Sequence, residues 1–137
     1  MYRAMKADGT FPRTGASAMA LGARTPNDIP VDAQGRVRPG TGGMSVRPRI
    51  TDIPAMFLPR RLKHLNRNAG GSESTVVFRF GAVNASFAAA PVAPALVLKP
   101  DADNHGNVEP RHEMGFDAYQ AALHATREGW RNGESDR

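Results

Sequence analysis

Apolar and β-branched residues are concentrated in short stretches that predict strands. Residues 75–80 read Thr-Val-Val-Phe-Arg-Phe, a β-branched and aromatic composition typical of a strand. Residues 95–99 form a second apolar stretch, which Pro100 is expected to end. Weaker extended patterns are present at residues 2–7, 44–50 and 105–109. The chain therefore contains enough strand segments for a small sheet.

Helical periodicity is clearest near the end of the sequence. Side chains that would share one helical face recur at spacings of three and four residues, at Phe116, Tyr119, Leu123, Thr126 and Trp130. Gly133 is a residue type that commonly follows a helix. We therefore predict a C-terminal amphipathic helix over about 116–131, followed by a frayed tail at 133–137.

Glycine and proline interrupt most of the remaining sequence. The chain has 14 glycines and 11 prolines, and residues 9–42 are predicted to form one long loop. Asp52 precedes Ile53-Pro54 as a helix-capping residue would, which predicts a short middle helix running toward Leu65. The fold class that follows is α+β: a single domain over 1–137 with a twisted sheet, a short middle helix and the C-terminal helix.

The charge balance changes the picture of possible partners. The formal net charge is +5, which favours an anionic partner such as a nucleotide, a nucleic acid or an acidic protein surface. A basic cluster of Arg47, Arg49, Arg60, Arg61 and Lys63 would serve a small RNA- or DNA-binding module. The same cluster is first of all the usual pattern of a solvated basic face, and only Phe57 stands among these cations as an aromatic stacking residue.

Several classes of chemistry are excluded by residue content. The sequence has no cysteine, so it contains no disulfide, zinc-thiolate site or catalytic thiol. The four histidines do not have the spacing of a metal site. Residues 1–10 lack an apolar core, and no apolar run approaches the length of a membrane span. We therefore expect a cytoplasmic protein without a signal peptide, a metal or a membrane partner.

Two polar patterns are candidates for a functional site. On an extended segment His105, Asn107 and Glu109 point to one face, where they would form either a solvated strand edge or a site for proton transfer. Gly42-Gly43-Met44-Ser45 either ends a loop or exposes backbone so that a ligand can approach closely.

Four segments together resemble a known family. They are Tyr2-Arg3-Ala4, Thr41-Gly42-Gly43-Met44-Ser45-Val46, the segment from His105 through Pro110 to Met114, and the C-terminal helix ending near Trp130-Arg131. In order and spacing they resemble the small effector toxins of the bacterial type VI secretion apparatus. That family has an ADP-ribosyltransferase-like fold with a split sheet, acts in the cytoplasm of the target cell and is neutralised by a cognate immunity protein.

The resemblance implies a cleft that binds NAD. It assigns cofactor contacts to Tyr2, Arg3, Gly43, Met44 and Ser45, although Met44 stands where a hydroxyl residue would be usual. His105 matches the strand histidine of the family, and Ser45 is the remaining hydroxyl. The family's glutamate has no secure equivalent, and Glu109 is the nearest candidate because it shares a face with His105. The implied catalytic set is His105, Ser45 and Glu109.

The functional hypotheses differ in what they require of these residues. An antibacterial toxin that binds NAD, held by an immunity protein that is expected to be acidic, requires Ser45 and His105 in one cleft. A basic nucleic-acid-binding module without catalysis requires the arginine cluster to be free. A non-catalytic adaptor or inhibitor requires neither. Enzymatic activity stays open at this stage because the glutamate is not securely placed.

Overall fold

Ten short strands and one α-helix account for the regular structure of residues 1–136, the part of the chain that the computed structural model describes. In chain order the elements are β1 (Tyr2–Asp8), β2 (Phe11–Pro12), β3 (Arg36–Val37), β4 (Met44–Val46), β5 (Thr75–Phe80), β6 (Ala90–Ala93), β7 (Leu96–Ala102), β8 (His105–Pro110), β9 (Met114–Gly115), α1 (Phe116–His124) and β10 (Trp130–Asn132). The predicted strands at 2–7, 75–80 and 105–109 are confirmed, whereas β7 continues through Pro100 instead of ending before it.

The strands form a curled antiparallel sheet, so the α+β class is confirmed. One set of four has the order β10-β5-β1-β2, a second has the order β4-β8-β7-β6, and β3 pairs with β9. A bridge joins the two larger sets, because the backbone N–H groups of Tyr2 and Arg47 each donate to the carbonyl of the other at 2.7 and 2.9 Å. β1 and β4 therefore lie side by side at the seam.

Both faces of β1 are covered, which explains its weak alternation of polar and apolar residues. Met5 belongs to the larger hydrophobic cluster, which also contains Tyr119 and Trp130. Tyr2 and Ala4 belong to a second cluster beneath the middle segment. A strand buried on both faces is continuously apolar rather than alternating, so the one charged residue between these side chains, Arg3, has to be accommodated inside the protein.

The middle segment contains no α-helix between residues 48 and 74, so the predicted short middle helix is wrong. Three separate 3₁₀ turns stand there, at Ile50–Asp52, Ala55–Phe57 and Arg60–Leu62. Pro54 and Pro59 each precede a turn and restrict the residue before them to extended backbone, which interrupts the helix twice.

The C-terminal helix is shorter than predicted. It ends at His124 instead of near residue 131, and Trp130 lies on β10, opposite Phe80 of β5. The two rings pack with centroids 5.4 Å apart, and the Trp130 indole N–H donates to the Thr126 hydroxyl. Burial of Trp130 against the sheet is therefore reached by an additional strand rather than by two more helical turns.

The prediction of a frayed tail at 133–137 is wrong for residues 133–136, which are held by hydrogen bonds. Arg137 lies outside the described residues. The Gly133 N–H donates to the Val77 carbonyl, and Glu134 and Asp136 accept hydrogen bonds from side chains elsewhere in the fold. The predicted loop at 9–42 is largely irregular but includes β2 and β3. Nowhere in residues 1–136 is there a helix with the length and apolar character needed to cross a membrane.

Candidate functional site

A cleft of about 290 Å³ opens where β1, β4 and β8 meet the loop between β2 and β3 and the middle segment. Its polar lining includes Arg3, Ser45, His105 and Asn107. The pairing of β4 with β8 places Ser45 directly opposite Asn107, and His105 stands two residues before Asn107 on β8. Because side chains alternate along a strand, Ser45, His105 and Asn107 share the face toward the cleft.

Ser45 and His105, which the sequence placed in one site, are in contact. Ser45 Oγ lies 2.6 Å from His105 Nε2, and His105 Nδ1 lies 2.6 Å from Asp101 Oδ1. An ionised carboxylate only accepts hydrogen bonds, so Nδ1 carries the proton toward Asp101 and Nε2 of the neutral ring accepts from the serine hydroxyl. The three groups form one directed chain from Ser45 through His105 to Asp101.

A β-bulge brings Asp101 to this position. Pro100 pairs with Gly106 and Ala102 pairs with His105, so the register shifts between them and Asp101 is the extra residue. A bulge turns a side chain away from the regular alternation. Asn107 supports the same carboxylate, because its side-chain nitrogen donates to Asp101 Oδ2 at 3.3 Å.

Steric limits at the two glycines before β4 explain why glycine is needed there. Gly42 has a φ of +128°, and a Cβ on it would lie 2.3 Å from the Asp28 carbonyl oxygen. A Cβ on Gly43 would lie 2.3 Å from the Val108 carbonyl oxygen. Close backbone packing alone therefore accounts for both glycines, although Gly43 also lines the cleft.

Met44 points away from the cleft. Its side chain is buried in the larger hydrophobic cluster, and its backbone N–H donates to the Tyr119 hydroxyl at 3.0 Å. Tyr119 in turn donates to the Val108 carbonyl, and burial raises the pKa of its phenol. The Tyr119 hydroxyl on α1 thus links β4 to β8 behind the site. Because the Met44 side chain is buried, any contact of Met44 with a cofactor would have to use its backbone.

Arg3 organises the wall of the cleft. All three guanidinium nitrogens donate to backbone carbonyls, with Nε 3.2 Å from the Ala20 oxygen and Nη1 2.8 Å from the Ser45 oxygen; Nη2 reaches those of Ala18, Ala20 and Gly22. Burial lowers its pKa to about 10, so the group is protonated at neutral pH. Most of its donors are engaged by the protein, which ties residues 18–22 to β4 and leaves little for a ligand.

Tyr2 also lines the cleft, but its hydroxyl is directed elsewhere. It donates to Asp136 Oδ2 at 2.8 Å, and burial together with this bond raises the pKa of Tyr2 to about 12. Arg79 binds both oxygens of the same carboxylate, at 2.9 and 2.7 Å. Tyr2 can therefore offer a ligand its ring rather than its hydroxyl.

Glu109 lies on β8 but does not line the cleft. Only 7% of the residue is exposed, and its carboxylate accepts the backbone N–H of Gly40 at 2.7 Å. This bond fixes the loop before β4 to the sheet. The catalytic role of Glu109 stays a prediction, and the geometry gives its carboxylate a structural task.

Two further arginines stand at the cleft, and they differ in charge compensation. Arg24 is paired with Asp28, whose carboxylate also accepts the Arg24 backbone N–H at 2.6 Å. The Arg47 guanidinium donates to the Asn104 carbonyl at 3.1 Å, and among residues 1–136 no carboxylate forms an ion pair with it. Of the cleft arginines without an ion pair in residues 1–136, Arg3 is buried with its donors engaged by carbonyls, so Arg47 is the partly exposed one that a ligand can reach.

Two of the five cations of the proposed nucleic-acid surface, Arg49 and Arg61, are paired with carboxylates. Arg61 is held by Glu73 and Glu134 with N–O distances of 3.1 and 2.6 Å, and it also donates to the Thr75 carbonyl. Arg49 is paired with Asp52 at 3.0 Å. These bonds fix Arg49 and Arg61 to the protein, whereas Arg47, Arg60 and Lys63 form no ion pair within residues 1–136, so nucleic-acid binding stays an untested alternative.

No protein-family model matches the chain, and no curated protein or solved structure matches it either. Function therefore has to be inferred from the cleft. In residues 1–136 no three histidine, aspartate or glutamate side chains gather as a metal site requires.

Asp101 and Arg47 are the site residues that the sequence reading missed or assigned differently. Asp101 directly follows Pro100, at which the sequence predicts the end of a strand. Its position four residues before His105 is a usable signal once a hairpin with a bulge is considered, but the bulge itself has no sequence mark. Arg47 was grouped with the basic cluster, and only the bridge to Tyr2 reveals its place at the cleft.

Proposed function

We propose that the protein is an antibacterial toxin that acts in the cytoplasm of a target cell and binds NAD in this cleft, as an ADP-ribosyltransferase-like enzyme. The observation that carries the proposal is the contact between Ser45 and His105 inside a cleft that is also lined by Arg47, which forms no ion pair within residues 1–136. The curled antiparallel sheet supports the ADP-ribosyltransferase-like form of the fold, and the resemblance of four sequence segments supports the toxin family.

The donor set of the cleft fits NAD. A nucleotide needs compensation of its phosphate charge, which Arg47 offers at the opening. Ser45 and Asn107 offer hydrogen-bonding groups for a ribose hydroxyl or an amide, and Phe57 lines the same space with an aromatic ring. The cleft volume of about 290 Å³ would hold part of an NAD molecule, and the rest of the NAD would lie across the rim of the cleft. NAD bound there would supply an ADP-ribosyl group.

The chain's own residues would then divide the work. Arg3 holds residues 18–22 against β4 and so keeps the cleft shaped before any ligand arrives. His105, oriented by Asp101, is placed to take or return a proton at the Ser45 hydroxyl or at a group that replaces it. Such preorganisation is favourable because the groups need no rearrangement when the ligand binds.

Expression in a bacterial cytoplasm tests the toxin assignment. We expect wild-type expression to arrest growth, and Ser45→Ala or His105→Ala to relieve the arrest. Matched controls are Ser86→Ala and His112→Ala, because both residues are exposed and neither lines the cleft. Harmless wild-type expression at comparable protein levels would contradict the toxin proposal.

Calorimetric titration with NAD tests the ligand separately. We expect binding that Arg47→Gln weakens about tenfold or more, since loss of one charge contact costs roughly 1.5 kcal/mol or more. Purified protein incubated with a bacterial lysate and labelled NAD should transfer label to a macromolecule. Absence of binding heat and of label would remove the NAD proposal, whatever the growth assay shows.

An inhibitor of opposite charge is the partner that suits this site. The formal net charge of the chain is +5, and the cation at the cleft opening is not compensated within residues 1–136. An acidic immunity protein that covers the opening would gain in association rate from this charge. Co-expression of a small acidic protein encoded beside the toxin should restore growth, and its complex with the toxin should weaken when Arg47 is replaced by Gln.

A further inference from the structure

The directed chain from Ser45 through His105 to Asp101 supports an activity that needs no NAD. We infer that Ser45 is an activated nucleophile and that the cleft can hydrolyse a carboxylic ester that carries an anionic group. His105 would be the general base, Asp101 the positioning residue for His105, and Arg47 the contact for the anion. The inference goes beyond the proposed function, because it depends on the side-chain geometry and not on the resemblance to a toxin family.

The distances meet the requirements of nucleophilic serine catalysis. A serine and its base must lie within hydrogen-bond reach, and a third group must orient the base. Both contacts here are 2.6 Å. The carboxylate fixes the proton on Nδ1, so the lone pair of Nε2 faces the Ser45 hydroxyl. A quarter of the His105 side chain and half of the Asp101 side chain are exposed, which leaves the relay open to a substrate from the solvent side.

Donors for the developing oxyanion are present on the same face. Asn107 lies opposite Ser45 across the β4–β8 pair, and one N–H of its carboxamide is directed to Asp101. The second N–H remains for a substrate oxygen. Asn27 also lines the cleft and brings another carboxamide. Side-chain amides are established donors to the oxyanion of acyl transfer.

The reaction balances with these groups alone. Ser45 Oγ forms a bond to the ester carbonyl carbon while its proton passes to His105 Nε2. The bond from that carbon to the alcohol oxygen breaks, and the alcohol leaves with the proton from His105. Water then attacks the acyl-serine, gives one proton to His105 and receives the acyl group, and His105 returns the proton to Ser45. The products are a carboxylic acid and an alcohol.

A covalent serine probe tests the nucleophile directly. The purified full chain is incubated with a fluorophosphonate, and the modified residue is identified by peptide mass spectrometry. We expect modification at Ser45 that Ser45→Ala removes and that His105→Gln slows by about 100-fold, the scale of general base catalysis. Ser86→Ala is the control and should label like the wild type, since Ser86 is exposed and outside the cleft.

Ester hydrolysis tests the roles of Asp101 and Arg47. The substrates are 4-nitrophenyl butyrate, which is neutral, and 4-nitrophenyl hemisuccinate, which carries a carboxylate. We expect Asp101→Asn to lower kcat about tenfold or more with little change in KM, and Asp101→Glu to restore part of the rate. Arg47→Gln should raise KM for the hemisuccinate only. A purely structural role for Asp101 would lower the melting temperature and would not separate kcat from KM.

The outcomes that overturn the inference are distinct from those that overturn NAD binding. Absence of Ser45 modification in the folded wild type, or equal labelling of the His105→Gln variant, removes the activated nucleophile. Thermal unfolding of each variant confirms that it is folded when it is assayed. Failure of NAD to bind leaves the labelling result intact, and failure of labelling leaves the calorimetric result intact.

Discussion

Replacement of Glu109 by glutamine separates a structural role from a catalytic one. Only 7% of the Glu109 residue is exposed, and its carboxylate accepts the Gly40 N–H at 2.7 Å. A hydrogen bond to a charged group contributes about 1.5–3 kcal/mol net, and glutamine keeps an acceptor oxygen while losing the charge. We therefore expect Glu109→Gln to lower the free energy of unfolding by about 1–2 kcal/mol, or the melting temperature by roughly 4–8 °C.

Urea denaturation followed by tryptophan fluorescence measures this loss, because the sequence has a single tryptophan and Trp130 is fully buried. Glu113→Gln is the matched control: Glu113 is about half exposed in its ion pair with Arg36, so its loss should cost less than about 0.5 kcal/mol. Growth arrest should persist in Glu109→Gln. A variant as stable as wild type that has lost toxicity would refute the reasoning and make Glu109 a catalytic residue.

Three further substitutions test the packing and the electrostatics of the fold. Tyr2→Phe removes a phenol whose pKa is raised to about 12, so the wild type should lose stability relative to the variant as pH rises from 10 to 12, by about 1 kcal/mol once solvent screening is included; parallel pH curves in urea titrations would contradict this. Gly43→Ala should lower the free energy of unfolding by about 1–3 kcal/mol because its Cβ would meet the Val108 oxygen. The control Gly35→Ala, in open space at a φ of +75°, should lower it by about 1 kcal/mol. Equal losses of stability in chemical denaturation would show that the sheet adjusts at Gly43. Trp130→Ala should destabilise the protein by about 3–5 kcal/mol in urea denaturation followed by circular dichroism, since this variant lacks the single tryptophan, and a loss under 1 kcal/mol would contradict its place in the core.

The sequence was sufficient for elements whose cause is local. β5 is a run of β-branched and aromatic residues, and β8 alternates, so both could be predicted from composition and period. The middle segment contained the information that contradicts a helix, because two prolines five residues apart allow only single turns. β10 could not be found in this way. The spacing of Trp130 from Leu123 and Thr126 fits a helical face. Residues 130–132 form a strand because they pair with β5, and this long-range pairing has no local sequence signal.

The candidate site shows the same division between local and long-range causes. Ser45 and His105 each stand on a segment whose pattern makes it a candidate, but only the resemblance to the effector toxins predicts that the two share one cleft. Asp101 could not, since a one-residue shift in the β7–β8 register decides where its carboxylate points. Arg3 was expected to meet a ligand, but the carbonyls that engage it belong to residues 18–22 and 45, whose approach no local pattern indicates.

The order β10-β5-β1-β2 also governs when the protein can fold during synthesis. β1 leaves the ribosome first, yet its partner strand begins at Thr75 and the next strand begins at Trp130. Asp136 then joins Tyr2 and Arg79. Contacts that span most of the sequence close late and slowly. This set of strands therefore cannot be completed until β10 has emerged from the ribosome, long after β1 and β4 have been synthesised.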